Sequence, residues 1–210
     1  MVDAVNFLVE THATAVWVLP VVVVLAAMDG FFPPVPSESV VVALAAIGVA
    51  AQGPNLALLV GAAAVGAFLG DNLTYALGRR GYLDRLATVF GHRVLAATRS
   101  ASTAIADHGA PAILAARYVP VGRVVVNLAA GEAAFPRRRF AVLTGFGAVV
   151  WAAYSVALGA FAGRVVPGGP LAAAALGIAL ALALGVLADL LLRRQPDTLA
   201  GSTAPAGRRR

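Results

Sequence analysis

The chain has 210 residues, of which 60% are hydrophobic and 12% are charged, and its mean hydropathy is +0.85. Soluble domains contain about 45–50% apolar and about 25% charged residues, so this composition argues against a soluble enzyme and a disordered chain. All 16 basic residues counted as lysine or arginine are arginines, and the net charge is +6. Because these arginines stand between long apolar runs, they indicate membrane topology and no nucleic-acid partner. The absence of cysteine excludes disulfides, thiol nucleophiles and Cys-ligated metals.

Four apolar runs are long enough, or nearly so, to cross a membrane as helices, which takes about 20 residues. They are residues 13–28, 55–78, 140–163 and 165–188. A cleaved signal peptide begins with positive charge, whereas Asp3 and Glu10 precede the first run. The first run is therefore predicted to be a retained helix.

Two further stretches are apolar but broken. Residues 39–51 are short and lie between a proline-rich segment and a Gly-Pro-Asn turn. Residues 110–135 are interrupted by Pro120 and Gly122 and carry three charged side chains. Each stretch fits either a single kinked span or a re-entrant hairpin, because broken backbone is tolerated at membrane depth when protein or a wet cavity surrounds it.

The arginines favour the re-entrant alternative. Groups of them fall within residues 79–99, 137–139 and 193–210, and the positive-inside rule places all three groups in the cytoplasm. The stretch 110–135 then returns to the face that it left. If the first helix runs outward, residues 29–52 enter and leave from outside. The prediction is an all-α integral membrane protein with four transmembrane helices, two opposed re-entrant hairpins in an inverted-repeat arrangement, and both termini cytoplasmic.

This organisation predicts one membrane domain over residues 1–194, with re-entrant elements at 29–52 and 110–135. Apolar residues recur every three or four positions within 82–105, which predicts an amphipathic helix on the cytoplasmic surface. The composition of residues 195–210 is typical of a disordered, basic cytoplasmic tail.

Six ionisable residues remain at membrane depth once the arginine groups are placed. They are Asp29, Glu38, Asp71, Arg117, Arg123 and Glu132. Ionisable groups in a membrane are costly when isolated, so they pair with one another or serve function. One interpretation is a salt-bridge network that holds the broken helices together. The other is a polar cavity in which acids and arginines bind an anion and exchange protons.

The acids fall into two groups. Ser37 and Glu38 follow the prolines at a predicted helix start, and Asp71 lies in an otherwise uncharged span with Tyr75 one turn further on the same face. Glu38 and Asp71 are the proton-coupling candidates. Gly66 and Gly70 precede Asp71 at a spacing that allows close helix contact. Asp29 and Glu132 are predicted to lie near the two membrane faces as gate or cap residues.

The basic part of the site centres on Arg117 and Arg123. The break at Pro120 and Gly122 lets both guanidinium groups turn toward one cavity, where two planar forks could hold one phosphate. The structural alternative is that each arginine pairs with Glu38 or Asp71. The three histidines lie away from this region, so neither a metal site nor a cofactor is predicted.

Three motifs carry a resemblance to a known family: FFPPVPSE at 31–38, GDNLTYALGR at 70–79 and RYVPVGR at 117–123. In their order and spacing, over about residues 30–155, the chain resembles the DedA family of bacterial membrane proteins, also called the VTT-domain or SNARE-associated family. The resemblance implies two re-entrant hairpins facing each other and a site formed by Glu38, Asp71, Arg117 and Arg123. It also implies lipid translocation linked to the proton motive force in the bacterial inner membrane.

The chain departs from the family pattern at four places. Asp29-Gly30 replaces a Glu-Asn pair, Val124 replaces a threonine or serine, Asn127 replaces a common proline, and Phe135 replaces a methionine. These departures leave the fold expectation unchanged and bear on which lipid is bound. Asn127 is accordingly included among the supporting residues of the predicted site.

The leading functional prediction is a transporter, not an enzyme, that flips undecaprenyl phosphate toward the cytoplasmic leaflet with protons as coupling partners, as a monomer or homo-oligomer. Alternatives are a proton-coupled carrier of a small ion or solute, and a phospholipid scramblase. A membrane lipid phosphatase is disfavoured, because the chain has no lysine and its histidines match no phosphatase spacing.

Overall fold

A computed structural model describes residues 17–32, 35, 37–50, 53–81, 97–98, 101–103, 105, 109, 113, 122–166 and 170–193, with side chains of the last range given for 172–183. In these ranges the regular structure is helical and no strand occurs, which agrees with the predicted all-α class. The six principal helices are α1 Val18–Asp29, α2 Ser37–Ala50, α3 Leu56–Arg79, α4 Gly122–Glu132, α5 Arg137–Val165 and α6 Pro170–Arg193.

The helices differ in length in a way that matters for a membrane. Among the described residues, α3 (24 residues) and α5 (29 residues) are long and apolar enough to cross one. The helices α1, α2 and α4 have 12, 14 and 11 residues. At 1.5 Å per residue they reach about 18, 21 and 16 Å, well short of a hydrocarbon core of about 30 Å.

The helix ends follow from local sequence. At the end of α1 the N–H groups of Phe31 and Phe32 donate to the carbonyl of Met28, and the prolines that follow prevent continuation. Asn55 caps α3, because its Oδ1 accepts hydrogen bonds from the backbone N–H of Ala57 and Leu58 at 2.9 and 3.2 Å.

Glycines on α3 bring α1 into close contact, as their spacing predicted. A methyl group added at Gly66 would lie 2.8 Å from Cβ of Ala26, and one at Gly70 would lie 3.0 Å from Cα of Gly30. These contacts advance in the same order along both helices, so α1 and α3 run parallel. Thr74 secures the end of the contact by donating its hydroxyl to the carbonyl of Gly30 at 2.8 Å.

The parallel direction of α1 differs from the predicted topology, in which the first helix and α3 cross in opposite directions. The helices α2 and α5 run parallel. A methyl group at Gly159 would lie 2.7 Å from Cβ of Ala45, and one at Gly163 would lie 3.1 Å from Cβ of Val49, so the contacts advance in the same order along both. Because the end of α3 meets the start of α5 at Tyr75 and Phe140, α5 is antiparallel to α3. The helices α1 and α2 therefore form an antiparallel hairpin, and the proline-rich sequence stands between them. The first apolar run is thus one arm of that hairpin.

The helix α4 lies against α3 toward the C-terminal end of α3. A methyl group at Gly78 would lie 2.9 Å from the carbonyl carbon of Leu128, and one at Gly131 would lie 2.6 Å from the backbone nitrogen of Arg79. The contact of α1 along α3 ends at Thr74, and the contact of α4 overlaps it at Asp71 and continues to Gly78. The turn of the hairpin and the start of α4 therefore meet beside the middle part of α3.

The helix α5 closes the bundle, and the ring centroids of Tyr75 and Phe140 stack 4.5 Å apart where α3 ends and α5 begins. Ala101 and Ile105, from the apolar stripe of the predicted amphipathic segment, pack into the cluster that contains these two rings. Most of that segment and the tail at 195–210 lie outside the described residues, so both remain predictions.

Candidate functional site

The centre of the polar site is an ion pair between α3 and α4. Asp71 is fully buried, and its Oδ1 accepts a hydrogen bond from Nε of Arg123 at 2.6 Å. Arg123 is the second residue of α4, and its guanidinium lies at the level of Asp71 on α3. The parallel contact of α3 and α4 thus places opposite charges together inside the protein.

The guanidinium of Arg123 is bound at three of its nitrogen atoms. Besides the bond to Asp71, Nη2 donates to the carbonyl of Ala67 at 3.1 Å, and Nη1 contacts Oδ2 of Asp29 at 3.3 Å. The side chain of Arg123 is 12% exposed. A planar guanidinium with fixed donor directions suits this arrangement better than the single ammonium of lysine would.

Asn127 strengthens the same ion pair. It lies four residues after Arg123 and therefore on the same face of α4. Its Nδ2 donates to Oδ1 of Asp71 at 2.8 Å, and the residue is 3% exposed. The asparagine that departs from the family pattern thus supplies a second donor to the buried carboxylate.

Asp29 connects this ion pair to the α1–α2 hairpin. Its Oδ2 accepts from Nη1 of Arg123 and from Oγ of Ser37 at 2.9 Å. Asp29 is the last residue of α1 and Ser37 is the first of α2, so the carboxylate spans the turn of the hairpin. Asp29 was predicted to lie near a membrane face as a gate or cap residue, which stays a prediction, and the structure places its carboxylate beside Arg123.

Glu38 is the second residue of α2 and contacts α5. Its Oε1 accepts a hydrogen bond from the hydroxyl of Tyr154 on α5 at 3.0 Å. The sequence analysis did not identify Tyr154. It could have been found as a single tyrosine on a long apolar helix, because a buried tyrosine hydroxyl usually has a hydrogen-bond partner. Glu38 follows Ser37 in α2, so the bond from Tyr154 starts one residue from the bonds of Ser37, Asp29 and Arg123, and the two sets of bonds together involve four helices.

The remaining predicted residues have other surroundings. Tyr75 donates its hydroxyl to the carbonyl of Phe135 at 2.6 Å, and Glu132 accepts from the hydroxyl of Ser102 at 2.6 Å. Gly122 begins α4. Arg117 and Pro120 lie outside the described residues, so the second arginine of the predicted clamp remains a prediction. In the described ranges no three His, Cys, Asp or Glu side chains form a group that could hold a metal ion.

Comparison with known proteins identifies the family, because the VTT domain matches residues 34–161. The chain belongs to the VTT-domain family, which is also called the DedA family. Its relatives include an uncharacterized membrane protein of Mycobacterium tuberculosis, 30% identical over 175 residues that make up 77% of each chain. The family match and this relative make the chain a membrane protein, and they confirm the resemblance drawn from the three motifs.

Two other relatives widen the comparison. A protein of Lactococcus lactis subsp. cremoris named alkaline phosphatase-like protein is 27% identical over 143 residues, 65% of this chain and 66% of its own. An uncharacterized membrane protein of Synechocystis is 36% identical over 108 residues, 50% of this chain and 49% of its own. No solved structure matches the chain. Within the matched domain lie Glu38, Asp71, Arg123, Asn127 and Tyr154, whereas Asp29 precedes it.

Proposed function

We propose that this VTT-domain protein is a membrane transporter that moves a lipid phosphate, with undecaprenyl phosphate as the leading substrate, toward the cytoplasmic leaflet. The observation that carries the proposal is the Arg123 guanidinium, which lies near the start of α4 and is largely buried. Arginine is the side chain best suited to bind phosphate through paired hydrogen bonds. The lipid tail would remain in the bilayer while the head group crosses beside α3.

The proposed membrane placement follows from which end of the bundle carries the arginines. Arg79 and Arg80 end α3, and residues 137–139 begin α5 at the same end, so this end would face the cytoplasm. On this placement α3, α5 and α6 cross the membrane and the α1–α2 hairpin enters from outside. The stretch ending with α4 enters from the cytoplasmic face, so that two re-entrant elements oppose each other at the midplane.

This placement keeps the predicted opposition of re-entrant elements and reassigns the first apolar run to an arm of the outer hairpin. Cysteine labelling tests it cleanly, because the chain has no cysteine of its own. Cysteines introduced at Arg138 and Gly168 should be labelled from opposite sides, and labelling from the same side would refute the placement.

Both termini were predicted to be cytoplasmic. On this placement that requires residues 1–16 to cross the membrane, and a label at Val2 decides the point.

The acids supply the second half of the proposed mechanism. Asp71 and Asp29 hold the guanidinium in place, and Glu38 and Asp71 are the proposed proton-coupling groups. We propose transport rather than phosphate-ester hydrolysis, because the cluster is built of donors and carboxylates already paired with one another. The Lactococcus relatives have a phosphatase-like name, so release of inorganic phosphate from the lipid is measured in the same experiment.

The test is reconstitution of the purified protein into liposomes that contain undecaprenyl phosphate, with translocation, lipid binding and phosphate release followed together. Arg123→Lys keeps the positive charge beside Asp71 but loses the planar fork. We expect this variant to fold and express with a lowered free energy of unfolding, because lysine cannot make all three bonds of Arg123. Lipid-phosphate binding should fall at least tenfold, which is within the range for charged hydrogen bonds. Arg117→Lys, at the second predicted fork, should behave alike.

The alternatives give different results in the same assay. A proton-coupled carrier of a small anion would transport inorganic phosphate without the lipid, and a scramblase would move phosphatidylglycerol as fast as the polyprenyl phosphate. Release of phosphate from the lipid would favour hydrolysis. Two well-folded lysine variants with normal phosphate binding would refute the phosphate clamp and leave the arginines a structural role.

A further inference from the structure

The two carboxylates that contact Arg123 are held very differently. Oδ1 of Asp71 lies 2.6 Å from Nε, whereas Oδ2 of Asp29 lies 3.3 Å from Nη1. The Asp71 side chain is 0% exposed and that of Asp29 is 23% exposed. Shorter charged hydrogen bonds are stronger, so Asp71 is the tight partner of the guanidinium and Asp29 the looser one.

The exposure also shows from which side an anion can arrive. Asp71 is enclosed and receives a further bond from Asn127, so it offers no open edge. Arg123 already donates to three acceptors. These bonds use three of its five N–H groups and leave one N–H on each of Nη1 and Nη2. A phosphate that takes a paired bond at this edge competes with the carboxylate on Nη1, which is the partly exposed and more distant Asp29.

We propose that Asp29 is an exchangeable ligand of Arg123: its carboxylate holds the phosphate position and is displaced when the head group binds. This inference rests on the proposed phosphate site and assigns its affinity to one residue. During this exchange Asp71 orients the guanidinium, while Asp29 competes with the substrate. Competition of this kind keeps binding weak enough for the head group to leave again, which conduction and transport sites require.

Ser37 gives the exchange a structural consequence. Its hydroxyl donates to the same Oδ2 atom of Asp29 that contacts Arg123. When a phosphate displaces Asp29 from the guanidinium, the carboxylate keeps its bond to Ser37 across the turn of the α1–α2 hairpin. Occupation of the site thereby releases the tie between that hairpin and α4, and departure of the head group restores it.

The test compares Asp29→Asn with the unmodified protein and with Asp189→Asn, a matched loss of one carboxylate on α6, which contributes no described residue to the cluster. Asparagine keeps an acceptor of the same shape but removes the competing charge. We expect Asp29→Asn to bind undecaprenyl phosphate in nanodiscs about tenfold more tightly and to transport it more slowly, because release becomes limiting. Inorganic phosphate, measured in parallel, separates recognition of the head group from that of the lipid tail.

Ser37→Ala provides an opposite shift and guards against a variant that fails to fold. Ser37→Ala removes one donor to Oδ2 of Asp29, which strengthens the hold of this carboxylate on Arg123, so phosphate binding should weaken. A purely structural tie predicts lower stability for both variants and no opposed change in affinity.

The outcomes separate this inference from the proposed function. If Asp29→Asn and Ser37→Ala leave binding unchanged while Arg123→Lys abolishes it, the phosphate site stands and the exchange is overturned. If the unmodified protein binds neither lipid phosphate nor inorganic phosphate, and neither variant does, the proposed function itself fails. Weaker binding by Asp29→Asn would show that Asp29 is a ligand of the head group, which also overturns the exchange.

Discussion

The bond from Asn127 to Asp71 permits a quantitative test of how the buried ion pair is held. Asn127→Leu replaces the side chain by an apolar one of similar size and removes the 2.8 Å donor to Oδ1. Asp71 is 0% exposed, so water cannot replace the lost donor without rearrangement. Hydrogen bonds to charged groups contribute about 1.5–3 kcal/mol, and we expect the free energy of unfolding to fall by about that amount.

A double-mutant cycle assigns this loss to the bond itself. In an Asp71→Ala background the acceptor is already gone, so adding Asn127→Leu should be nearly neutral or stabilising, because it removes a buried donor that has lost its acceptor. Asp71→Ala alone should cost about 3–5 kcal/mol, because it leaves the charge of Arg123 uncompensated. The measurement is reversible denaturant unfolding of the detergent-solubilised protein.

Thr144→Val is the matched control. Thr144 is buried, and its hydroxyl donates within its own helix to the carbonyl of Phe140 at 3.0 Å. Thr144→Val should lower the free energy of unfolding by less than Asn127→Leu does. Its effect should be the same with and without Asp71→Ala, because the two residues share no described bond. If Asn127→Leu costs the same with and without Asp71, the two side chains are energetically independent and the account of the site given by the geometry is wrong.

Three further predictions concern other contacts. Gly131→Ala should prevent normal folding or severely lower yield, because its methyl group would meet the backbone of α3 at Tyr75, and a neutral result in an expression and unfolding assay would contradict the close α3–α4 contact. Tyr154→Phe removes the donor to Glu38 at 3.0 Å; transport should slow while the free energy of unfolding falls by no more than about 1.5 kcal/mol, and unchanged transport would leave the tyrosine a packing role. Ala134→Gly should keep or raise the unfolding temperature, because Ala134 has φ of +53°, a backbone region that favours glycine, and clear destabilisation would argue against that turn conformation.

Local sequence is enough to predict where the helices break and which residues are costly to bury. Prolines fix the end of α1 and the start of α2 because they lack an N–H group and restrict the preceding residue. A single carboxylate in an apolar run marks Asp71 as paired or functional. The four-residue spacing of Gly66 and Gly70 predicted a close helix contact, and α1 occupies it.

Which carboxylate meets which donor was decided only by the tertiary structure. Helical periodicity assigns residues to the faces of one helix, but it carries no information on how two helices lie relative to each other. The bond from Arg123 to Asp71 joins residues 52 positions apart, and that from Tyr154 to Glu38 joins residues 116 apart. Neither pairing has a local sequence signature.

The direction of α1 was decided in the same way. The apolar run before Asp29 is nearly long enough to span a membrane as a helix. The distribution of arginines then predicts that it crosses the membrane on its own. The structure shows a short arm parallel to α3, because Gly66, Gly70 and Gly30 let the two backbones approach along their whole contact. That packing brings Asp29 to the turn of the hairpin and against Arg123, a position that only the contact between separate helices could define.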